Sequence, residues 1–450
     1  MKRTLIVLKN RLVNNSFVDL RLKEISDFEK MPLADRVGIQ NQKLQNLLVH
    51  AANHIPFYAE LFRDLHILQE GVIDPCLFRT IPILGKEDIR NNFQKLTSDD
   101  LKERLWFKNH TGGSTGEPVE FIQDRYFDDC SIATAQLEFQ WAGKKKNDTH
   151  IKLWGSQEDI LLGGLTVKSK LGNLFSERML LNCFLMSSDL MEKYARIMQS
   201  KRSVFIEAYA DSAYEISHYF NKNGIVLNNI TGMVTSAGTL YPFMREEIET
   251  TFRCRITNRY GSREMGNIAC EKEPGRGLDV AMFTHLVEVL DERGEPCRPG
   301  QEGELIITSL TNYAMPLIRY RIGDRAVVKN YSEDGSITCT RLENVTGRAI
   351  EVFRKRDGSV ISSVFFMHFL GVVNYRKWLE KFQIIQLNYD EIVMKMVVSQ
   401  KPSPEDLLGI ETDLKRVMGA ECQVKIEIVD EIPKLPSGKY QYTRSLVKAS

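Results

Sequence analysis

The chain has 450 residues, more than one ordinary hydrophobic core accommodates, so a large domain or fused subdomains with a smaller companion is expected. Its 60 basic residues nearly cancel its 59 acidic ones, which excludes the electrostatic footprint of a nucleic-acid or anionic-membrane binder. Eight scattered cysteines with no CxxC pair exclude a disulfide framework and fit a reducing cytoplasm.

At the start, Met1-Lys-Arg precedes only Leu5, Ile6, Val7 and Leu8 before Lys9, too short for a signal-peptide core or a membrane span. A cytoplasmic protein without stable membrane insertion is expected. From about Ile39 to Phe62 apolar residues (Leu44, Leu47, Leu48, Ala51, Ala52) recur at helical spacing until Pro56 breaks the pattern. The lysines Lys144 to Lys146, beside Gly143 and Asn147, read as a solvated loop. Short apolar runs at Ile151 to Trp154, Val204 to Ile206, Ile230 to Thr235 and Arg255 to Asn258 alternate with helical stretches, which predicts buried strands of a largely parallel α/β core.

Strands at His285 to Leu290 and Gly303 to Leu310 follow one another without a helix, through the turn-rich Asp291 to Gly303 segment, and read as an antiparallel addition. After Gly347 the texture changes. Phe382 to Gln386 and Ile392 to Val398 flank a turn at Asn388-Tyr-Asp, and Val424, Ile426 and Ile428 alternate with polar residues. Between them Ser403 can cap a helix that has Pro404 at its first position and Asp406 in the capping-box place, with Gly419 ending it in the left-handed conformation. The expected organisation is a large α/β domain of mixed sheets and helices over residues 1–346 and a small α+β domain of ββαβ type over 347–450, mobile as a lid.

The most informative segment is Thr111-Gly112-Gly113-Ser114-Thr115-Gly116, followed by a strand-like Glu-Pro-Val-Glu-Phe. Glycines let the backbone approach a ligand, and clustered N–H and O–H donors suit phosphate oxygens. No lysine follows Gly116, so it is not a P-loop, and composition alone fits a surface turn equally well. The segment resembles the phosphate-gripping signature of the acyl-adenylate-forming superfamily, in the form seen in phenylacetate–coenzyme A ligases and their capsular polysaccharide biosynthesis (CapK-like) relatives. Four more segments match in order: Ser236-Ala237-Gly238-Thr239-Leu; Tyr260-Gly261-Ser262-Arg263-Glu264-Met-Gly; Arg319-Tyr-Arg-Ile-Gly-Asp324; and Gly347-Arg348 with Leu435-Pro-Ser-Gly-Lys439 near the C-terminus. The openings Ala51 to Tyr58 and Ile81 to Ile89 extend the likeness over nearly the whole chain.

The resemblance implies a role for each. Thr111 to Gly116 would bind ATP phosphates, and Ser236 to Thr239 would line the adenine and acyl group. Tyr260 would stack on adenine, with Gly261, Ser262 and Arg263 beside it, and Glu264 would hold magnesium. Asp324 would accept both ribose hydroxyls, Arg348 would reach the ribose or phosphate edge, and Lys439 would drive adenylation by neutralising charge as pyrophosphate leaves. Trp154, Gly155, Ser156 and Tyr209 are candidates for the acyl pocket, although Trp154 taken alone reads as plain core. Thr239 stands where relatives usually carry an acid, and Ile350 where many carry a hinge Asp or Lys, which moves the expected pivot toward Glu351. Cys270 and His285 lack paired ligand spacing and read as a buried thiol and a satisfied histidine.

The implied reaction uses ATP and Mg2+ to convert a carboxylic acid to acyl-AMP, then transfers the acyl group to coenzyme A or to an amine or hydroxyl on a sugar nucleotide or carrier protein. A different class of reading is a nucleotide-binding interaction protein without catalysis, against which the retained Lys439 weighs. A kinase is disfavoured by the missing P-loop lysine.

Overall fold

Recurrence of apolar residues at helical spacing puts Val37, Leu44, Leu47, Leu48 and Ala51 on the buried face of a helix, Leu33–His54. Pro56 does more than stop it. Ile55 before the proline is extended, and Pro56 then opens a second helix, Pro56–Asp64, at the first position, where its missing N–H breaks no hydrogen bond. The protein is seen here as a computed structural model that describes residues 16–69, 72–73, 77–110, 119–154, 178–183, 188–238, 240–332, 338–348, 352–356, 360–362, 378–432 and 443–447. Within these, no helix is long and apolar enough to cross a membrane.

The chain forms two compact units, Met1–Trp141 with Arg259–Val345 and Ala142–Asn258 with Thr346–Ser450. In the first, the strands His285–Leu290, Glu302–Ser309, Tyr320–Tyr331, Cys339–Arg348, Leu278–Val280 and Gly266–Cys270 lie side by side in that order. The expected antiparallel addition is present, with His285 opposite Ser309 and Leu290 opposite Glu304. Helical and strand residues share one core that includes Leu47, Tyr58, Phe62, Phe78, Phe121, Leu305, Ile307 and Tyr320.

In the second unit the strands Ile230–Ser236, Val204–Tyr209, Thr149–Trp154 and Arg178–Asn182 are neighbours, all paired in parallel. Val204–Tyr209 is buried at every position, as a central strand covered on both faces must be. Lys145 and Lys146 are exposed in the loop before this sheet, as expected. The strand Ile256–Ser262 carries the chain from this unit into the first, its early residues pairing with Met233–Thr235 and its later ones with Gly266–Cys270.

The C-terminal segment is the expected small α+β piece. Leu379–Asn388 and Glu391–Val398 form an antiparallel hairpin, and Gln423–Ile428 joins it in parallel. A further short strand, Thr443–Ser445, pairs on the other edge, extending the ββαβ pattern by one element. Ser403 caps the helix Pro404–Met418: its Oγ accepts from the Asp406 N–H at 3.1 Å while the Asp406 carboxylate accepts from the Ser403 N–H at 3.1 Å. Gly419 departs from expectation. Its φ of 117° and ψ of 147° are not left-handed helical but an extended conformation at positive φ that favours glycine, and the Cys422 N–H then closes a turn on its carbonyl at 3.0 Å. Phe353, Ile384, Met394, Ile410 and Leu414 share a core with Ile206, Phe220 and Met244.

One buried charge organises the first unit. Arg319, with φ of +49°, precedes the strand Tyr320–Tyr331, and its guanidinium takes both oxygens of Glu288 at 3.0 Å and the carbonyls of Arg79 at 2.5 Å and Ile81 at 2.6 Å. The backbone joins in, with the Arg319 carbonyl accepting from the Leu84 N–H at 3.0 Å and the Arg321 N–H donating to the Leu84 carbonyl at 2.9 Å. A planar fork can satisfy four acceptors at once where an ammonium cannot. Replacing Arg319 by Met would strand Glu288 in the core and is expected to lower unfolding free energy by about 3–5 kcal/mol, read by urea denaturation. The double variant Arg319→Met/Glu288→Leu should recover most of that loss.

Candidate nucleotide site

The turn Arg263-Glu264-Met265 joins the strands Ile256–Ser262 and Gly266–Cys270. Gly261 is required beneath it, because a Cβ there would stand 2.4 Å from the Gly266 carbonyl oxygen. The Ser262 Oγ closes the turn by accepting from the Met265 N–H at 3.1 Å. Glu264 therefore sits at a hairpin tip, yet it is only 7% exposed, with its Oε1 3.5 Å from the Tyr320 hydroxyl.

The tip is held by a residue that no motif contains. Gln123, buried in the strand Glu120–Asp124, donates through Nε2 to the carbonyls of Arg263 at 2.9 Å and Glu264 at 3.2 Å. Its Oε1 accepts from Asn109 Nδ2 at 3.1 Å, across the pairing of Trp106–His110 with Glu120–Asp124. These two strands bracket the glycine-and-hydroxyl segment. Thr111, Gly112, Gly113, Ser114, Thr115 and Gly116 themselves lie outside the described residues.

Asp324 follows Gly323, whose φ is +90°, and its Oδ2 accepts from the Tyr260 hydroxyl at 2.6 Å. Thus one strand supplies Tyr320 and Asp324, the hairpin Ile256–Cys270 supplies Tyr260 and Glu264, and the four side chains meet in two contacts. The half-buried phenol of Tyr260 keeps a ring beside glycine, where a flat base can stack, and the carboxylate of Asp324 is an acceptor of the kind a ribose diol needs. Arg263 is exposed at the tip.

In the second unit, Trp154, Tyr209 and Ser236 stand at the carboxyl ends of neighbouring parallel strands, the place where open α/β sheets take ligands. The rings of Trp154 and Tyr209 pack with centroids 4.0 Å apart and planes tilted by 37°, and Lys152 Nζ lies 4.1 Å from the centre of the Trp154 ring. Trp154 is half-buried rather than plain core, because it ends its strand. Deeper in the sheet, His150 Nε2 lies 3.2 Å from Glu207 Oε2, and burial pushes the His150 imidazole below its ordinary value. Ala237 follows Ser236 with a left-handed φ of 61°, and Gly238 is half-buried. Gly155, Ser156, Thr239 and Lys439 lie outside the described residues, as do Ile350, Glu351 and the side chain of Arg348, whose backbone ends the strand Cys339–Arg348.

Cys270 and His285 are both buried in the first unit. Burial pushes the Cys270 thiol well up, and His285 Nε2 donates to the Met265 carbonyl at 2.7 Å while Nδ1 lies 2.9 Å from the Thr284 hydroxyl. The seven described cysteines are free thiols.

Residues 353–445 match the model of the CapK C-terminal domain. Over its length the chain is 23% identical to protein CapK of Staphylococcus aureus, covering 98% of this chain and 95% of that one. It is 24% identical to the phenylacetate–coenzyme A ligase of Thermus thermophilus over 72% of each. A 2-hydroxyisobutyryl-CoA ligase in its postadenylation state with 2-HIB-AMP superposes with a TM-score of 0.61 at 17% identity, covering 92% of this chain and 90% of that one. The chain is thus similar to CapK over nearly all of its length and to phenylacetate–coenzyme A ligases over most of it. Its α/β architecture is the fold of that 2-hydroxyisobutyryl-CoA ligase.

Of the residues at this site, Gln123 was the least visible in the sequence, its only signal being a polar residue in a strand next to buried Ile122. Substituting Gln123 by Ala should release two carbonyls and lower stability by about 1–3 kcal/mol, with faster amide hydrogen exchange at residues 262–266 as the local readout. A second expectation concerns pH. Burial lowers His285 from 6.5 to about 4, so below pH 6.5 the unfolded chain takes up a proton that the folded chain refuses. Stability should therefore fall as pH drops from 6.5 to 4, by up to about 3 kcal/mol, and His285→Gln should flatten that slope in pH-dependent urea melts.

Proposed function

We propose that this chain is an AMP-forming acyl ligase, which adenylates a carboxylic acid with ATP and then passes the acyl group to coenzyme A or another acceptor. The observation that carries the reading is that two motifs from separate stretches of sequence meet in two contacts, Tyr260 with Asp324 and Glu264 with Tyr320. Relatives named phenylacetate–coenzyme A ligase support the thiol acceptor. The CapK likeness supports a place in surface polysaccharide biosynthesis, with a sugar nucleotide or carrier protein as acceptor. We place the reaction in the cytoplasm.

In this reading Tyr260 stacks on adenine, and its hydroxyl fixes the Asp324 carboxylate so that the ribose hydroxyls find a pre-oriented acceptor. Thr111 to Gly116 donate to phosphate oxygens, and Ser236 to Thr239 line the adenine with the acyl group near Trp154 and Tyr209. Glu264 fits magnesium: its carboxylate is an acceptor-only oxygen donor, and among the described residues no cation pairs with it. Magnesium held there would supply positive charge against the triphosphate. The acid's carboxylate attacks the α-phosphorus in line and pyrophosphate leaves, with Lys439 and Arg348 stabilising the charge that develops on the departing oxygens. The C-terminal segment 347–450 then turns about its junction to admit the acceptor.

A screen of carboxylic acids for ATP–pyrophosphate exchange, with AMP as coproduct, tests the reading. Lys439→Ala should abolish exchange and spare transfer from preformed acyl-AMP. Asp324→Asn should raise KM for ATP by about 10- to 100-fold. Nucleotide binding with no acid supporting exchange would favour the non-catalytic reading, and ADP as product would favour a kinase.

A further inference from the structure

His50 and His54 lie one turn apart near the end of the helix Leu33–His54, and Asp100 comes from the turn after the helix Lys86–Leu96. None of the three belongs to a motif of the nucleotide site. One potential ligand atom from each lies within 4.8 Å of the others. The two imidazoles stack at 4.8 Å between centroids, with planes 28° apart.

Hydrogen bonds fix what each group has left to offer. His50 Nε2 lies 2.9 Å from the Tyr313 carbonyl, which can only accept, so Nε2 carries the proton and Nδ1 the lone pair. His54 Nδ1 lies 2.9 Å from Asp99 Oδ1, so there the lone pair is on Nε2. An imidazole that gives one N–H to a carbonyl and another that gives one to a carboxylate are the arrangements by which proteins orient histidine toward a metal. Asp100 Oδ1 accepts from Ser98 Oγ at 2.6 Å and Arg104 Nε at 2.7 Å, whereas Oδ2 accepts from Arg104 Nη2 at 2.6 Å and keeps a lone pair. Arg104 already offsets the carboxylate charge, so an ion here is held chiefly by the two nitrogens.

We propose that His50, His54 and Asp100 bind one borderline divalent transition-metal ion, zinc foremost, with water completing the shell. Two imidazoles and one carboxylate select zinc, nickel or copper over magnesium or calcium. The ion would clasp the end of the long helix to the 98–104 segment, which already meets it through the Asp99 N–H on the His54 carbonyl at 3.0 Å. That segment reaches the nucleotide side of the unit, with Arg104 Nη1 3.7 Å from Asp124 Oδ2, next in sequence to Gln123.

The test uses the full-length chain without a histidine tag, stripped by chelator and titrated with Zn2+ against a competing chromophoric chelator. One equivalent should bind, and His54→Ala and His50→Gln should each weaken that binding by at least about tenfold. Zn2+ should raise the thermal midpoint of the wild type and leave that of His54→Ala unchanged, while circular dichroism shows the variant folded. Mg2+ and Ca2+ should do neither. Absence of stoichiometric Zn2+ uptake, equal affinity in wild type and both histidine variants, or preference for Mg2+ would overturn the proposal.

Discussion

The four-acceptor embrace of Arg319 is the constraint from which the candidate site of the first unit follows. A buried guanidinium is tolerated only if its donors are satisfied, and here they are shared between the Glu288 carboxylate and the carbonyls of Arg79 and Ile81. Because Arg319 immediately precedes the strand Tyr320–Tyr331, satisfying its side chain also fixes where that strand begins. Tyr320 and Asp324 are then delivered to Glu264 and Tyr260 without further adjustment. The left-handed backbone at Arg319 is strained, and it persists because the surrounding hydrogen bonds over-determine it.

A second dependence runs through Gln123. The strands on either side of the glycine-and-hydroxyl segment are paired to each other, and one of them grips the turn that carries Glu264. The strands that flank the glycine-and-hydroxyl segment and the turn that carries Glu264 therefore belong to one hydrogen-bonded frame. Gly261 lets the two hairpin backbones approach closely enough for the frame to close.

Much of this was legible in the sequence, and the reason differs from element to element. The buried strand Val204–Tyr209, the helix Leu33–His54 and the Ser403 cap each depend on residues within a few positions of one another, so spacing alone reveals them. Tyr260, Glu264 and Asp324 were named by motif resemblance, and no local pattern could have told that the Tyr260 hydroxyl and the Asp324 carboxylate meet across 64 positions. Arg319 read as part of a nucleotide motif, whereas its side chain faces inward to Glu288, 31 residues earlier. The conformation of Gly419 escaped because glycine permits several endings to a helix, and the turn that follows chooses among them. His50 and His54 carry a visible i, i+4 spacing, but Asp100 joins them only through the packing of a later turn.

The packing of Trp154 against Tyr209, with Lys152 over the indole, has an optical consequence. Only four tryptophans occur in the chain, and this one is half-buried at a strand end between a phenol and an ammonium. Indole emission is sensitive to neighbouring charge and to loss of water, so the protein carries an intrinsic fluorophore at the mouth of its parallel sheet. Molecules arriving there could be followed by their effect on that glow, without label or coupled assay.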